Sequence, residues 1–120
     1  MSTVWQDLDQ DSVLHGVEAT IGEKLSNLVL QRNSYINRVF ELEKKATKER
    51  VIVKFYRPGR WSREMILEEH RFLNDLHEKE ISVIPPLNFN GKTLFELKNI
   101  SYEIMPKKGG RPLDEFDEDT

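Results

Sequence analysis

The sequence predicts an α+β domain, with one five-stranded antiparallel sheet, one long packed helix and a short helix ahead of it. Three observations predict it. Apolar residues recur at helical spacing in two stretches, one near the start of the chain and one in its middle. Five other stretches are rich in β-branched and aromatic residues and read as strands. The links among the first three strands and between the last two are short, which joins those neighbours antiparallel.

Met1 to Gln10 is a polar lead-in whose apolar anchors are Val4 and Trp5. From Asp11 to Ile21, Val13, Leu14, Val17 and Ile21 fall on one side of a helix, and Gly22 suits its C-terminal cap. Asn27–Leu30, Arg38–Glu43 and Arg50–Tyr56 then read as three strands of a meander. Between the second and third, Lys44 to Glu49 is polar apart from Ala46, as a solvated hairpin connection requires.

The helical period returns from Ser62 to Lys79, with Ser62 as N-cap. Ile66, Leu73 and Leu76 mark its apolar face, broadened by Met65 and Phe72. Pro85 and Pro86 punctuate the chain after it. Thr93–Leu97 and Ser101–Met105 are the last two strands, joined by a turn around Asn99 and closed by Gly109-Gly110. The chain divides into an N-terminal extension with its short helix (1–25), a sheet-and-helix unit (26–113) and an acidic tail (114–120).

With 120 residues, 38% hydrophobic and 32% charged, the chain has the make-up of one soluble domain. A net charge of −3 argues against a nucleic-acid binder held mainly by electrostatics. No cysteine is present, which excludes disulfides and thiolate metal sites. No apolar run approaches the roughly 18 residues that span a bilayer. The polar start lacks a signal core, so no membrane association and a cytoplasmic location are expected.

Two charges stand on faces where apolar residues belong. In the third strand Val51, Val53 and Phe55 share one face, while Lys54 lies between Ile52 and Tyr56 on the other. A lysine there either snorkels to an edge or holds an anion. In the long helix, positions 66, 69, 73 and 76 form the predicted buried stripe, and position 69 is a glutamate. Pairing offsets part of the cost of burying each charge, so Glu69 and Lys54 are expected to meet between helix and sheet. His15, His70 and His77 have no metal-ligand spacing, and the pair on the long helix suits the surface. Arg57, Arg60 and Arg63 read as a solvated loop.

A strand lysine paired with a helix glutamate is part of the protein-kinase machinery. The stretches Asn33-Ser-Tyr-Ile-Asn-Arg-Val39, Val53-Lys-Phe-Tyr-Arg-Pro58 with Arg60-Trp61, and Ile66-Leu-Glu-Glu-His70 resemble the stress response kinase A family. That family belongs to the wider group of aminoglycoside and choline kinase-like enzymes. The similarity continues from Ile84 through Asn90-Gly-Lys-Thr-Leu94 to Gly109-Gly-Arg111 and covers essentially the whole chain.

The resemblance implies a protein-kinase-like N-lobe, the half that cradles ATP. It makes Lys54 the contact to the α- and β-phosphates and Glu69 the residue that orients it. Asn33, Ser34 and Tyr35 fall in the turn over the phosphates, a turn that lacks the Gly-x-Gly-x-x-Gly string of eukaryotic protein kinases. Asn33 and Ser34 can donate hydrogen bonds to phosphate oxygens or simply shape a tight β-turn. Met105 to Lys107 falls at the hinge that would meet adenine.

In the family a His-Gly-Asp segment, a following Asn and a later Asp supply the catalytic and magnesium-holding groups. No His-Gly-Asp string occurs in these 120 residues, so ATP turnover by this polypeptide alone is not expected. The intact enzyme would transfer phosphate from ATP, with magnesium, to Ser/Thr of a protein substrate. A small-molecule kinase lobe and a non-enzymatic interaction module are the alternatives. The surface that would face the larger lobe, where exposed, is expected to favour self-association.

Overall fold

The computed structural model describes residues 8–32 and 36–107. Two helices and five strands run through them: α1 (Gln10–Ile21), β1 (Leu25–Arg32), β2 (Arg38–Lys44), β3 (Arg50–Phe55), α2 (Arg63–Glu78), β4 (Phe95–Leu97) and β5 (Ile100–Pro106). The strands form one sheet in the order β1-β2-β3-β5-β4, with every neighbouring pair antiparallel. This is the predicted α+β architecture, consistent with a kinase-like N-lobe.

The start of α1 is capped by Asp9, whose side chain accepts from the Ser12 N–H at 2.8 Å. Its end is set by Gly22, which takes φ 81° and donates its N–H to the Glu18 carbonyl at 2.8 Å. Between them Val13 and Val17, one turn apart, are fully buried. They enter a core built from one face of the sheet, with Phe40, Leu42, Val51, Val53, Phe55, Tyr102 and Ile104. The helix lies close to β4: a Cβ on Gly16 would come within 2.9 Å of a Leu97 methyl. The residues assigned to an N-terminal extension thus help to build the main core.

β4 begins at Phe95, two residues later than the pattern predicts, because Thr93 and Leu94 turn toward α2. The β4–β5 hairpin reverses at Lys98 and Asn99, with φ 51° and 68°. A two-residue turn of this hand matches the twist of the strands, and asparagine tolerates the left-handed region.

The N-cap of α2 is Ser62, which accepts from the Met65 N–H at 3.1 Å. The helix does not bury the predicted stripe. Ile66 and His70 are its buried residues, whereas Met65 and Phe72 are 54% and 60% exposed and Glu69 is exposed. Ile66 packs with Tyr56 and Leu94 in a second, smaller cluster, flanked by Trp61 and Leu67. The physical reason lies in His70. A polar side chain is buried at little cost when its hydrogen bonds are met, and hydrophobic periodicity carries no trace of that.

Candidate functional site

The face of the sheet turned away from α1 carries the charges. Strand pairing sets Val39, Lys54 and Glu103 side by side in one row, and Glu41, Ile52 and Met105 in the next. Lys54 projects from β3 beside Ile52 and Tyr56, both buried. Its Nζ stands 5.3 Å from the centre of the Tyr56 ring, a cation–π contact, and 3.4 Å from Glu103 Oε2.

Glu103 is the hub of a network that ties α2 to the sheet. His70 Nε2 donates to Glu103 Oε1 at 2.8 Å, and both side chains are almost completely buried. The other ring nitrogen, Nδ1, lies 2.8 Å from Thr93 Oγ1, and the Tyr56 hydroxyl lies 3.4 Å from Nε2. Burial works to raise the Glu103 carboxyl. The hydrogen bond from His70, the nearby Lys54 ammonium and a hydrogen bond from Tyr56 overcome it, and the carboxyl sits below its ordinary range.

A second buried carboxylate lies across Ile52. Glu41 accepts from Arg32 Nη1 at 2.6 Å and Arg50 Nη1 at 2.5 Å, with Lys107 Nζ at 3.5 Å. Arg50 Nε also lies 3.5 Å from Glu43. Burial again pushes the Glu41 carboxyl up, and the hydrogen bond from Arg50, the Lys107 charge and the hydrogen bond from Arg32 bring it below the usual value. Arg32, Arg50, Lys54 and Lys107 share this face with Glu41, Glu43 and Glu103, and Glu96 joins them through its register with Ser101, so these cations and carboxylates are matched four to four before His70 is counted.

The expected partnership of Lys54 with Glu69 is not present. Glu69 is exposed on α2, and among the described residues no ion pair joins it to Lys54. Glu103 takes that place because the β3–β5 register sets it directly opposite Lys54. His70, expected at the surface, is buried against Glu103. Met105 lies on β5 opposite Ile52. The Lys107 N–H donates to the Arg50 carbonyl at 3.4 Å, while its ammonium turns to Glu41. Asn33, Ser34 and Tyr35 lie outside the described residues. Arg60 sits in an exposed loop over the Trp61 ring, 5.5 Å from its centre.

Sequence reasoning missed Glu103, Glu41 and His70. The signal for the two carboxylates was available, since each interrupts a largely apolar strand on the face that also bears Lys54. Among the described residues no group of three His, Cys, Asp or Glu side chains gathers as a metal site, and no helix is long and apolar enough to cross a membrane.

The sequence profile of the phosphotransferase enzyme family (APH) matches residues 29–120. The chain belongs to this family. Among curated relatives it is similar to stress response kinase A of Salmonella choleraesuis, 45% identical over 82 residues, covering 68% of this chain and 25% of that protein. It is also 35% identical over 115 residues to stress response kinase A of Escherichia coli K12, covering 92% of this chain and 33% of that protein. A Salmonella typhimurium relative at 45% identity over 82 residues is named serine/threonine protein kinase RdoA. The chain therefore spans a quarter to a third of the length of these relatives.

Proposed function

We propose that this chain is the ATP-cradling lobe of a kinase whose intact form transfers the γ-phosphate of ATP to Ser/Thr hydroxyls of a protein. The observation that carries the reading is Lys54. Its ammonium is fixed within a charged face of the sheet, held by cross-strand and aromatic neighbours rather than released to solvent. An ammonium so placed meets a phosphate oxygen as a point charge with three donors. Family membership supports phosphoryl transfer, and the name of the Salmonella typhimurium relative supports a protein hydroxyl as acceptor. ATP supplies the group transferred, and magnesium, where bound, would neutralise its phosphates.

This chain's own residues attract and orient the phosphates through Lys54, which Glu103 steadies from the neighbouring strand. Binding of a fluorescent ATP analogue tests the reading. Lys54→Ala should weaken it by about tenfold or more, the loss of one charge-assisted contact, while the folded spectrum persists. Unchanged affinity in a folded Lys54→Ala variant would sink the assignment.

A further inference from the structure

Between β3 and α2 the chain gathers three arginines in one short loop. Pro58 and Gly59 are the middle pair of a β-turn, with Gly59 at φ 83° and the Arg60 N–H donating to the Arg57 carbonyl at 3.4 Å. Such a turn holds Arg57 and Arg60 within about 7 Å of each other at Cα. Both ends of the loop are fastened. The Arg57 N–H donates to Asn37 Oδ1 at 3.1 Å, just ahead of β2, and Trp61 packs edge-on against Tyr56 with ring centres 5.6 Å apart. Ser62 then caps α2, so Arg63 is the first residue of the helix.

Local stability does not account for these charges. The first turn of a helix carries the positive end of its dipole, which an acidic side chain stabilises and a cation such as Arg63 opposes. Among the described residues none of the three guanidiniums pairs with a carboxylate, and that of Arg60 lies over the Trp61 ring. From Arg57 to Glu64 the chain therefore carries an excess of two positive charges, within a protein whose net charge is −3. Like charges held together by a fixed turn repel one another until an anion joins them. We propose that this loop docks an acidic segment of a partner protein. Carboxylates meet the three arginines, whose planar forks suit them, and an apolar side chain lies against Trp61 and Met65. Arg57, Pro58, Gly59, Arg60, Trp61 and Met65 line an open depression of about 610 Å³, and Met65 is 54% exposed there. The size of the patch favours a peptide over a polyphosphate backbone, because exposed Glu64, Glu68 and Glu69 follow at once on α2 and would repel a long polyanion. The inference does not depend on the role given to Lys54.

The test is fluorescence anisotropy of the 120-residue chain with a labelled Glu-Asp-Glu-Leu-Glu-Asp-Glu peptide at low salt. Replacing Arg60→Ala and Arg63→Ala together should weaken binding by about tenfold, with the folded spectrum unchanged. The same peptide written with Gln and Asn should bind the wild-type chain no better than the acidic peptide binds that double variant. Arg63→Glu provides a second readout, since a merely structural arginine would not separate the two properties. It should raise the urea midpoint, because the new charge suits the helix start, while it weakens peptide binding by about fivefold or more. Equal affinity of the acidic peptide for wild type and the double variant overturns the proposal. So does tighter binding of a single-stranded oligonucleotide of equal charge, which would assign the patch to nucleic acid.

Discussion

On the side of the sheet covered by α1, Phe40, Leu42, Val53, Phe55 and Ile104 exclude water with no charged side chain among them. On the opposite side the same strands present Glu41, Arg50, Lys54 and Glu103, nearly as dry at the two carboxylates. The first face is held by contact area, with rings such as Phe55 and Tyr102 4.8 Å apart. The second is held by matched charges, each cation placed by the register of its strand. The difference teaches how one sheet serves two purposes. An apolar layer depends on filled volume and tolerates exchange of one shape for another of similar size, whereas a charged layer depends on each partner's charge as well as its shape. A site built on the charged layer gains fixed geometry and becomes sensitive to pH.

The comparison breaks most readily on the apolar side. Phe55→Ala empties a fully buried position that contacts Phe40 and Tyr102, and should cost about 3–5 kcal/mol in urea unfolding. A loss below that of the charged-face variants would show that the two layers are not divided as described. On the charged side, Glu103→Gln removes the charge shared by Lys54 and His70 and should cost about 2 kcal/mol. Glu41→Gln should cost less, because Arg32 and Arg50 reach more solvent than His70 does.

The pH dependence of stability should divide along the same line. The Glu41 and Glu103 carboxyls lie below the ordinary value of 4.5 in the fold, so the stability they contribute is complete above that value. It is lost as pH falls below 4.5 through the folded values. Tyr102, on the apolar side, is pushed above 10.0 by burial, against the hydrogen bond with Thr20. Its contribution is complete below 10.0 and lost as pH rises beyond it. Denaturant midpoints measured across pH should therefore fall at both ends. Tyr102→Phe should flatten only the alkaline end, and Glu103→Gln only the acid end. The smallest effect is expected outside both faces: Ser62→Ala removes the cap of α2 and should cost about 1 kcal/mol in the same unfolding assay.

Several of these features are legible in the residues themselves. Alternation in Val51–Tyr56 assigns each side chain to its face, and the core confirms the assignment for Val51, Val53 and Phe55. Asn99 marks the last hairpin, Ser62 the start of α2 and Gly22 the end of α1. Lys54 stands out as a charge among apolar neighbours. Its partner was misread because helix periodicity favours Glu69, which occupies a position where an apolar residue would be buried. The structure turns α2 so that His70 occupies the interior instead.

The order and type of the elements, the split of β3 into two unlike faces and the anomaly at Lys54 all follow from local chemistry, because side-chain period and turn preference act within a few residues. The choice of Glu103 over Glu69, the burial of His70 and the gathering of Arg32, Arg50 and Lys107 around Glu41 came only with the assembled fold. Those pairings depend on register between strands distant in sequence and on the rotation of one helix. Neither leaves a mark on the spacing of apolar residues, since a buried charge is stabilised by what lies across from it and not by what precedes it in the chain.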